Sequence, residues 1–592
     1  MKTDSLRIWR SHDAGADDDF DEMLDADSVY TDRELARIVA SGFNAIWIFC
    51  RLYHLMDSSI WPQLNVAGTR ERIASIQAVI DRASKHGLGV YLYFNEPAGV
   101  HEDHPFWQGH TDLRGDYHWR RYSLCASTPE VKRFFEDAIQ SIFTKLRRAA
   151  GVILITAGED ITDCWSKHNR QQGEEPPACP RCRDREPSEI VLDHLRAWTR
   201  VSAQQPEPFR ILAWNWEWAY WYADPQREIV EHLPDGVELL ADMEIGGTKQ
   251  WRDRLCHVGE YSLSYVGPSP RLVGGAKICA ARDMSVHAKI ELNVTHELCT
   301  VPNVPVIPTL HGKFKAMSDL NLSGCMAAWN MGTRDTLNTA AFALYMDDPN
   351  RYADPIAFQM DLAKQYFGEV DTSLVLDTWH TFVDAFALYP QTVQLIYTGP
   401  HNDAFARPLV LQFKGEPIGV SYKAGMYGDD LSKCLTRHHN QQTSFTCEEV
   451  ADAFSDMACR WIPAAHRYAQ ALQNDTVASP IHRQHRFEES SCATIIGLQL
   501  RSIAHQFQFQ QRRTEIMRAE NLTAPCQLPP DEQLLSIMRE ELTVVRQALP
   551  LVEADSRLGF HQTFQGYKYD SQSIIAKIEL MEKALAVTSQ HG

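Results

Sequence analysis

From residue 6 to about 332, short runs rich in β-branched and aromatic residues alternate with stretches whose apolar positions recur three and four apart. The runs predict strands at Leu6 to Arg10, Ala45 to Arg51, Gly89 to Asn95, Val152 to Ala157, Arg210 to Asn215, Glu238 to Asp242, within Val286 to Asn293, and at Gly324 to Asn330. The stretches between them predict helices. Thr31-Asp-Arg-Glu34 has the spacing of a capping box, and Ser127-Thr-Pro-Glu130 places Pro in a first turn. Strand then helix, repeated about eight times, predicts a closed parallel (β/α)8 TIM barrel, with a doubly wound open sheet as the competing arrangement. No glycine-rich phosphate fingerprint follows the first run, which disfavours the dinucleotide-binding form of the open sheet.

After Met346-Asp-Asp-Pro349 the rhythm changes to long helical patterns at Pro355 to Gly368, Cys447 to Gln473, Arg483 to Arg518, Asp531 to Ala548 and Ser571 to Ala586. The expected division is a barrel domain over 1–345 and a mainly α-helical C-terminal domain over 346–592. Residues 390–445, rich in Gly, Pro, His and Asn, are expected to form an irregular excursion.

The composition narrows the classes. The 592 residues carry 58 Lys plus Arg against 77 Asp plus Glu, a formal net charge of -19, with no basic block to follow a phosphate backbone or an anionic lipid surface. Nucleic acid and membrane are therefore not expected partners, and the sequence leaves a homo-oligomer open. No apolar leader and no run of about 18 apolar residues is visible, so the expected compartment is the cytoplasm. There the 14 Cys are expected as thiols or metal ligands rather than disulfides. The 15 Trp supply planar apolar faces suited to sugar rings as well as to cores.

In such a barrel the chemistry lies at the carboxyl ends of the strands. The residues there are Arg10 with His12 and Asp13, Arg51, Asn95 with Glu96, Glu159 with Asp160, Asn215 with Glu217, Asp242 with Glu244, Asn293, and Trp329 with Asn330. An acidic, Trp-rich rim matches carbohydrate chemistry: carboxyl groups act as general acid and as base or nucleophile, and indoles cover the ring face. Barrels also place polar residues there simply for solubility. The sharpest element is Val152-Ile-Leu-Ile-Thr-Ala-Gly-Glu-Asp160, an apolar strand ending in Gly and two adjacent carboxylates. Neighbouring carboxylates do not both ionise cheaply, so one stays protonated near neutrality, as a general acid must. In Trp214-Asn215-Trp216-Glu217-Trp218, strand alternation would put the three indoles on one side and Asn215 with Glu217 on the other.

Over about residues 5–345 the chain resembles, remotely, the family 20 glycoside hydrolases, the β-N-acetylhexosaminidases. Their fourth strand carries G-G-D-E followed by a Cys-Trp pair; here the stretch is Ala157-Gly158-Glu159-Asp160, then Cys164-Trp165. Arg10 falls after the first strand, where the family has a sugar-binding Arg, and Phe94-Asn-Glu-Pro97 after the third, Trp214 after the fifth and Trp329 after the eighth also fit the resemblance. The resemblance implies release of a terminal β-linked N-acetylhexosamine, with the substrate's own acetamido group as nucleophile. The acidic pair is reversed here. Glu159 would orient the acetamido group and Asp160 protonate the leaving oxygen if roles follow position, and the opposite holds if they follow side-chain reach. Asn330 stands where the family has an acidic residue that binds hydroxyls. Two alternatives stay open: a glycosidase for a galactoside or uronide, pairing Glu159 with Glu96, Glu217, Asp242 or Glu244, and a catalytically silent barrel that binds carbohydrate or protein.

Cys179-Pro-Arg-Cys182, with Cys164 and His168 upstream, forms a C-x3-H-x10-C-x2-C arrangement. These ligands suit a four-coordinate structural zinc closing the loop after the fourth strand. No organic cofactor is expected. Motifs of serine hydrolases, zincins and P-loop enzymes are missing from the chain.

Overall fold

The computed structural model describes the chain apart from residues 1–4, 15–20, 330, 412–430, 436–444, 474–477, 523–528, 530, 565 and 590–592. Half of the excursion expected at 390–445, and Asn330, therefore lie outside the described residues. Eight parallel strands close into a barrel: β1 Leu6–Trp9, β2 Ala45–Phe49, β3 Gly89–Asn95, β4 Gly151–Ile155, β5 Arg210–Trp214, β6 Val237–Asp242, β7 Val286–Ile290 and β8 Gly324–Ala327. The ring closes where β8 pairs with β1, Leu6 against Gly324 and Trp9 against Ala327. Every expected strand is present, each within a few residues of its predicted bounds.

The period of two along β3 builds the barrel interior. Tyr91, Tyr93 and Asn95 share one face of that strand and so occupy successive levels, from the amino ends of the strands to the mouth. At the lowest level Arg210 donates to both oxygens of Glu238 (2.7 and 2.6 Å) and to the Tyr91 hydroxyl (3.2 Å). His287 Nε2 lies 2.7 Å from the same carboxylate. A Cβ on Gly151 would sit 2.4 Å from the Tyr91 ring, so that ring fits the barrel only beside a residue without a side chain. Outside the barrel, helix Pro129–Phe143 buries Val131, Phe134, Phe135, Ala138, Ile139 and Ile142, a stripe at helical spacing. Thr31 caps its helix by accepting from the Glu34 amide, the first half of the expected capping box, while the Glu34 carboxylate pairs with Arg37.

Spatial grouping divides the chain into two units. One holds Met1–Gly246, Pro268–Ile290 and Ala316–Thr333; the other holds Gly247–Gly267, Glu291–Lys315 and Arg334–Gly592. The longer helices of the C-terminal region are Leu337–Asp347, Pro355–Phe367, Thr372–Phe386, Cys447–Gln473, Pro480–Ala519, Glu532–Ala554 and Ser571–Ser589, with a short one at Val393–Thr398. Helix Glu532–Ala554 runs on through Pro550, beyond its expected end at Ala548, and carries Val552 into buried packing. The core of this unit includes Trp461 stacked on Phe382 (4.1 Å between centroids) and Trp379 donating to the Tyr468 hydroxyl at 3.1 Å. Among the described residues no helix is long and apolar enough to cross a membrane.

Candidate functional site

The fully buried strand β4 runs into Thr156-Ala157-Gly158, and Gly158 has φ +102°, a conformation L side chains rarely adopt. A Cβ there would lie 1.5 Å from Glu217 Oε2 and 2.5 Å from the Glu217 Cβ. Glu217 therefore fills the space a side chain at 158 would need, and reaches from the β5 end to the residue next to Glu159.

Glu159 is half-buried, and its Oε2 accepts from the Tyr93 hydroxyl (2.8 Å) and from Asn95 Nδ2 (3.3 Å). Burial pushes its carboxyl up, and the charge of Asp160 adds to this, against the hydrogen bonds of Tyr93 and Asn95 and the charge of Lys167. Burial also pushes Glu217 up, to about 7, against the charge of Lys167 and the Tyr220 hydroxyl, which donates to Oε1 at 2.9 Å. Glu217 Oε2 has no hydrogen-bond partner. Desolvation lowers the Lys167 ammonium, while Glu217, Asp160 and Glu159 pull it back up. Asp160 accepts from the Ile161 amide at 2.7 Å. Phe49, Cys50, Arg51, Asn95, Glu96, Glu159 and Asp160 line a cleft of about 170 Å³.

An aromatic group forms beside this cleft. Trp329 stacks on Trp47 (5.0 Å) and meets Tyr93 (4.7 Å) and Trp214 (5.1 Å). Ala328, just before Trp329, holds φ +79°, a strained position for a residue with a side chain.

Other expected site residues have different surroundings. Arg10, expected to bind sugar, is buried in a bidentate pair with Glu22, Nη2 to Oε2 at 2.7 Å, and lies 3.9 Å over the Trp47 ring. Its Nη donors are directed to Glu22, and Nε has no hydrogen-bond partner. The Glu96 carboxylate accepts the amides of Leu52 (2.9 Å) and Ala98 (2.5 Å), which shape the turn after β3; burial brings it to about 7. Asp242 is fully buried, accepts from Trp214 Nε1 at 3.1 Å and is raised to about 6 by burial, against Arg271 and Lys289. Glu244 is fully buried after β6. Asn215 donates to Gln226 at 3.1 Å. The expected alternation of indoles stops with β5 at Trp214. Trp216 packs edge-on against Trp214 at 5.4 Å, and Trp218 enters a 3-10 turn and donates to Thr156 Oγ1 at 2.9 Å.

The loop after β4 corrects the expected metal set. Cys164, Cys179 and Cys182 come together with Cys125, not with His168, and the four thiols are buried within 4.8 Å of one another. Cys125 Sγ lies 3.6 Å from the sulfurs of both Cys179 and Cys182. That is too long for a disulfide and close to the edge of about 3.8 Å in a tetrahedron of 2.3 Å Zn–S bonds. The donor set fits a structural metal such as zinc. His168 turns to Asp116 and His118 instead. Cys125 follows a hairpin strand far from the CxxC in sequence, so no spacing marks it. Tyr93 could be read from the period of β3, whereas Lys167 carries no signal. Glu291 directly follows β7 and is buried, in the position the strand-end rule inspects.

No protein-family model matches the chain, and no curated protein matches it. Among solved structures, a GH138 enzyme targeting pectin rhamnogalacturonan II aligns at 10% identity over 95% of this chain and 79% of its own, with a TM-score of 0.50. An O-GlcNAc hydrolase mutant from Thermobaculum terrenum aligns at 11% identity over 99% and 96% of the two chains, with a TM-score of 0.38. The glycoside hydrolase domain of PelA from Pseudomonas aeruginosa aligns at 11% over 55% and 95%, with a TM-score of 0.30. What the chain shares with the first is a fold: a TIM barrel of the kind glycoside hydrolases use.

Proposed function

We propose that the protein is a glycoside hydrolase whose proton chemistry is carried by Glu159 and Glu217. The observation that carries this reading is the seating of Glu217 in the side-chain space of Gly158, beside Glu159. Two desolvated carboxyls share one site there, in unequal surroundings. Burial raises both carboxyls; Tyr93 and Asn95 both donate to Glu159, which favours its ionised form, whereas one Glu217 oxygen has no donor. Glu217 is accordingly the general acid, and Glu159 the nucleophile or the base that activates water. Trp47 and Trp214 are fully buried, so the apolar face for a sugar ring would come from Trp329 or the half-buried Trp216.

The substrate is a glycoside, and two sugar classes are in view. A galactoside or uronide would use the two enzyme carboxylates alone. A terminal β-linked N-acetylhexosamine is favoured by the motif Gly158-Glu159-Asp160 with Cys164-Trp165, and there Glu159 or Asp160 would orient the acetamido group. The four thiolates, holding zinc, would keep the loop after β4 in one shape, with no open coordination position for water.

Nitrophenyl glycosides test the reading. In Glu217→Gln, cleavage of sugars with poor leaving groups is expected to fall at least about 100-fold, while dinitrophenyl glycosides, which need little protonation, fall far less. An equal loss on both classes removes Glu217 from the acid role. Azide is expected to yield a glycosyl azide with Glu159→Ala if Glu159 is the nucleophile. Inhibition by a thiazoline together with a strict acetamido requirement moves the chain to the substrate-assisted class. No turnover of any glycoside marks a silent, carbohydrate-binding barrel.

A further inference from the structure

The hairpin between β3 and β4 and the loop after β4 bring together a second group of ligating side chains. Strands Arg114–His118 and Arg121–Leu124 pair with an irregularity between Arg114 and Tyr117. Asp116 and His118, two apart, share a strand face. His168 arrives from the other loop, so that His168 Nε2 lies 2.7 Å and His118 Nε2 2.9 Å from Asp116 Oδ2, with the two imidazole nitrogens 3.4 Å apart.

Each ligand is oriented from behind. The other Asp116 oxygen accepts the Ala178 amide at 2.7 Å, which aims Oδ2 at the imidazoles. His168 Nδ1 lies 2.8 Å from the Glu175 carbonyl and so carries a proton toward it. In the neutral ring Nε2 is then a bare lone pair facing a carboxylate oxygen, and His118 Nε2 faces the same point. Either a proton on Nε2 or a metal cation resolves this meeting of acceptors. A carbonyl bond at the far nitrogen is also the usual support of a metal-bound histidine. The 3.4 Å between nitrogens equals the edge of a tetrahedron with bonds of about 2.1 Å, and the N···O separations of 2.7 and 2.9 Å would open by about half an ångström to admit an ion. Asp116 is buried and both imidazoles are partly exposed, which leaves an outer position for water.

We propose that Asp116, His118 and His168 bind one divalent cation of the zinc class, separate from the four-thiol centre, and that this ion joins the hairpin to the loop after β4. The join has a consequence at the cleft. The two-residue hairpin tip is Trp119-Arg120, both with positive φ (49° and 61°), and the Trp119 ring is 65% exposed. The Lys167 ammonium, next to His168, lies 4.0 Å from that ring centroid and is drawn toward Glu217, Asp160 and Glu159. The ion would thus fix an exposed indole and a cation at the edge of the candidate site. The binding argument does not depend on the glycosidase reading.

Metal analysis of the full-length protein purified without chelator, then offered a small excess of zinc, tests the site. Wild type is expected to hold about two zinc ions per chain, and His118→Ala/His168→Ala about one, with the thiolate-bound ion as internal evidence of folding. With cobalt as probe, the equivalent missing from the double variant is expected to lack a sulfur-to-metal charge-transfer band. Wild type that binds metal only through sulfur, or a double variant that keeps the sulfur-free equivalent, overturns the proposal.

Discussion

Glu217 in the barrel and Glu541 in the helical unit are both desolvated carboxyls, yet their surroundings drive them in opposite directions. Glu541 is fully buried on helix Glu532–Ala554, where it accepts from Ser502 (2.5 Å), lies 2.8 Å from His505 Nδ1 and pairs with the buried ammonium of Lys577. Burial would raise its pKa, but Lys577 and His505 more than offset this and bring it to about 2. Glu217 has only the partly desolvated Lys167 as counter-charge and one hydroxyl donor, and rises to about 7. The same chemical group is thus a permanent anion locking helices together in one unit and a proton store in the other. The number of positive charges and donors within reach decides which.

Four experiments break or sharpen this contrast. The largest effect is expected from Lys577→Met, which leaves Glu541 buried with its ammonium partner gone; urea unfolding should show a loss of about 3–5 kcal/mol. Next, Glu217→Gln should lower kcat at least about 100-fold on sugars with poor leaving groups without lowering the unfolding midpoint, because the glutamine removes a desolvated acid and no ion pair. A destabilised Glu217→Gln would make the two sites alike. Gly158→Ala should displace the Glu217 carboxylate and impose strain at positive φ, costing about 1–3 kcal/mol together with activity. The smallest effect is in the pH dependence of stability. Glu217 holds its proton more tightly in the folded chain, so its contribution is full below about pH 4.5 and is lost as pH rises toward 7. Glu541 binds its proton less tightly when folded, so its contribution is full above about pH 4.5 and is lost as pH falls toward 2. Glu217→Gln should flatten the first slope and Glu541→Gln the second.

The barrel was readable along the chain because each strand needs only a short apolar run and each helix an amphipathic stripe, and both are local patterns. Helix Cys447–Gln473 matches its predicted bounds for the same reason. The helix expected to end at Ala548 instead continues through Pro550 to Ala554, with Val552 buried. At the site, Glu159 and Glu217 were both in view as strand-end carboxylates, but their partnership was not. It depends on Gly158 being empty on the side from which Glu217 approaches, a relation between two loops 59 positions apart. Arg10 shows the reverse case: its place after the first strand suggested a ligand for sugar, and the fold set Glu22 against it.

The loop after β4 divides the two kinds of information most sharply. Cys179 and Cys182 announce a metal site by their spacing alone, since a turn brings i and i+3 together in any fold. His168 has equally good spacing but faces Asp116, and the fourth thiol is Cys125, 39 residues before Cys164. Periodicity and near-neighbour spacing are properties of the backbone and can be read from the residues in order. Which ligand completes a tetrahedron, which carboxyl keeps its proton and which arginine is already paired are set by distances across the barrel mouth, and these arise only once the strands have closed.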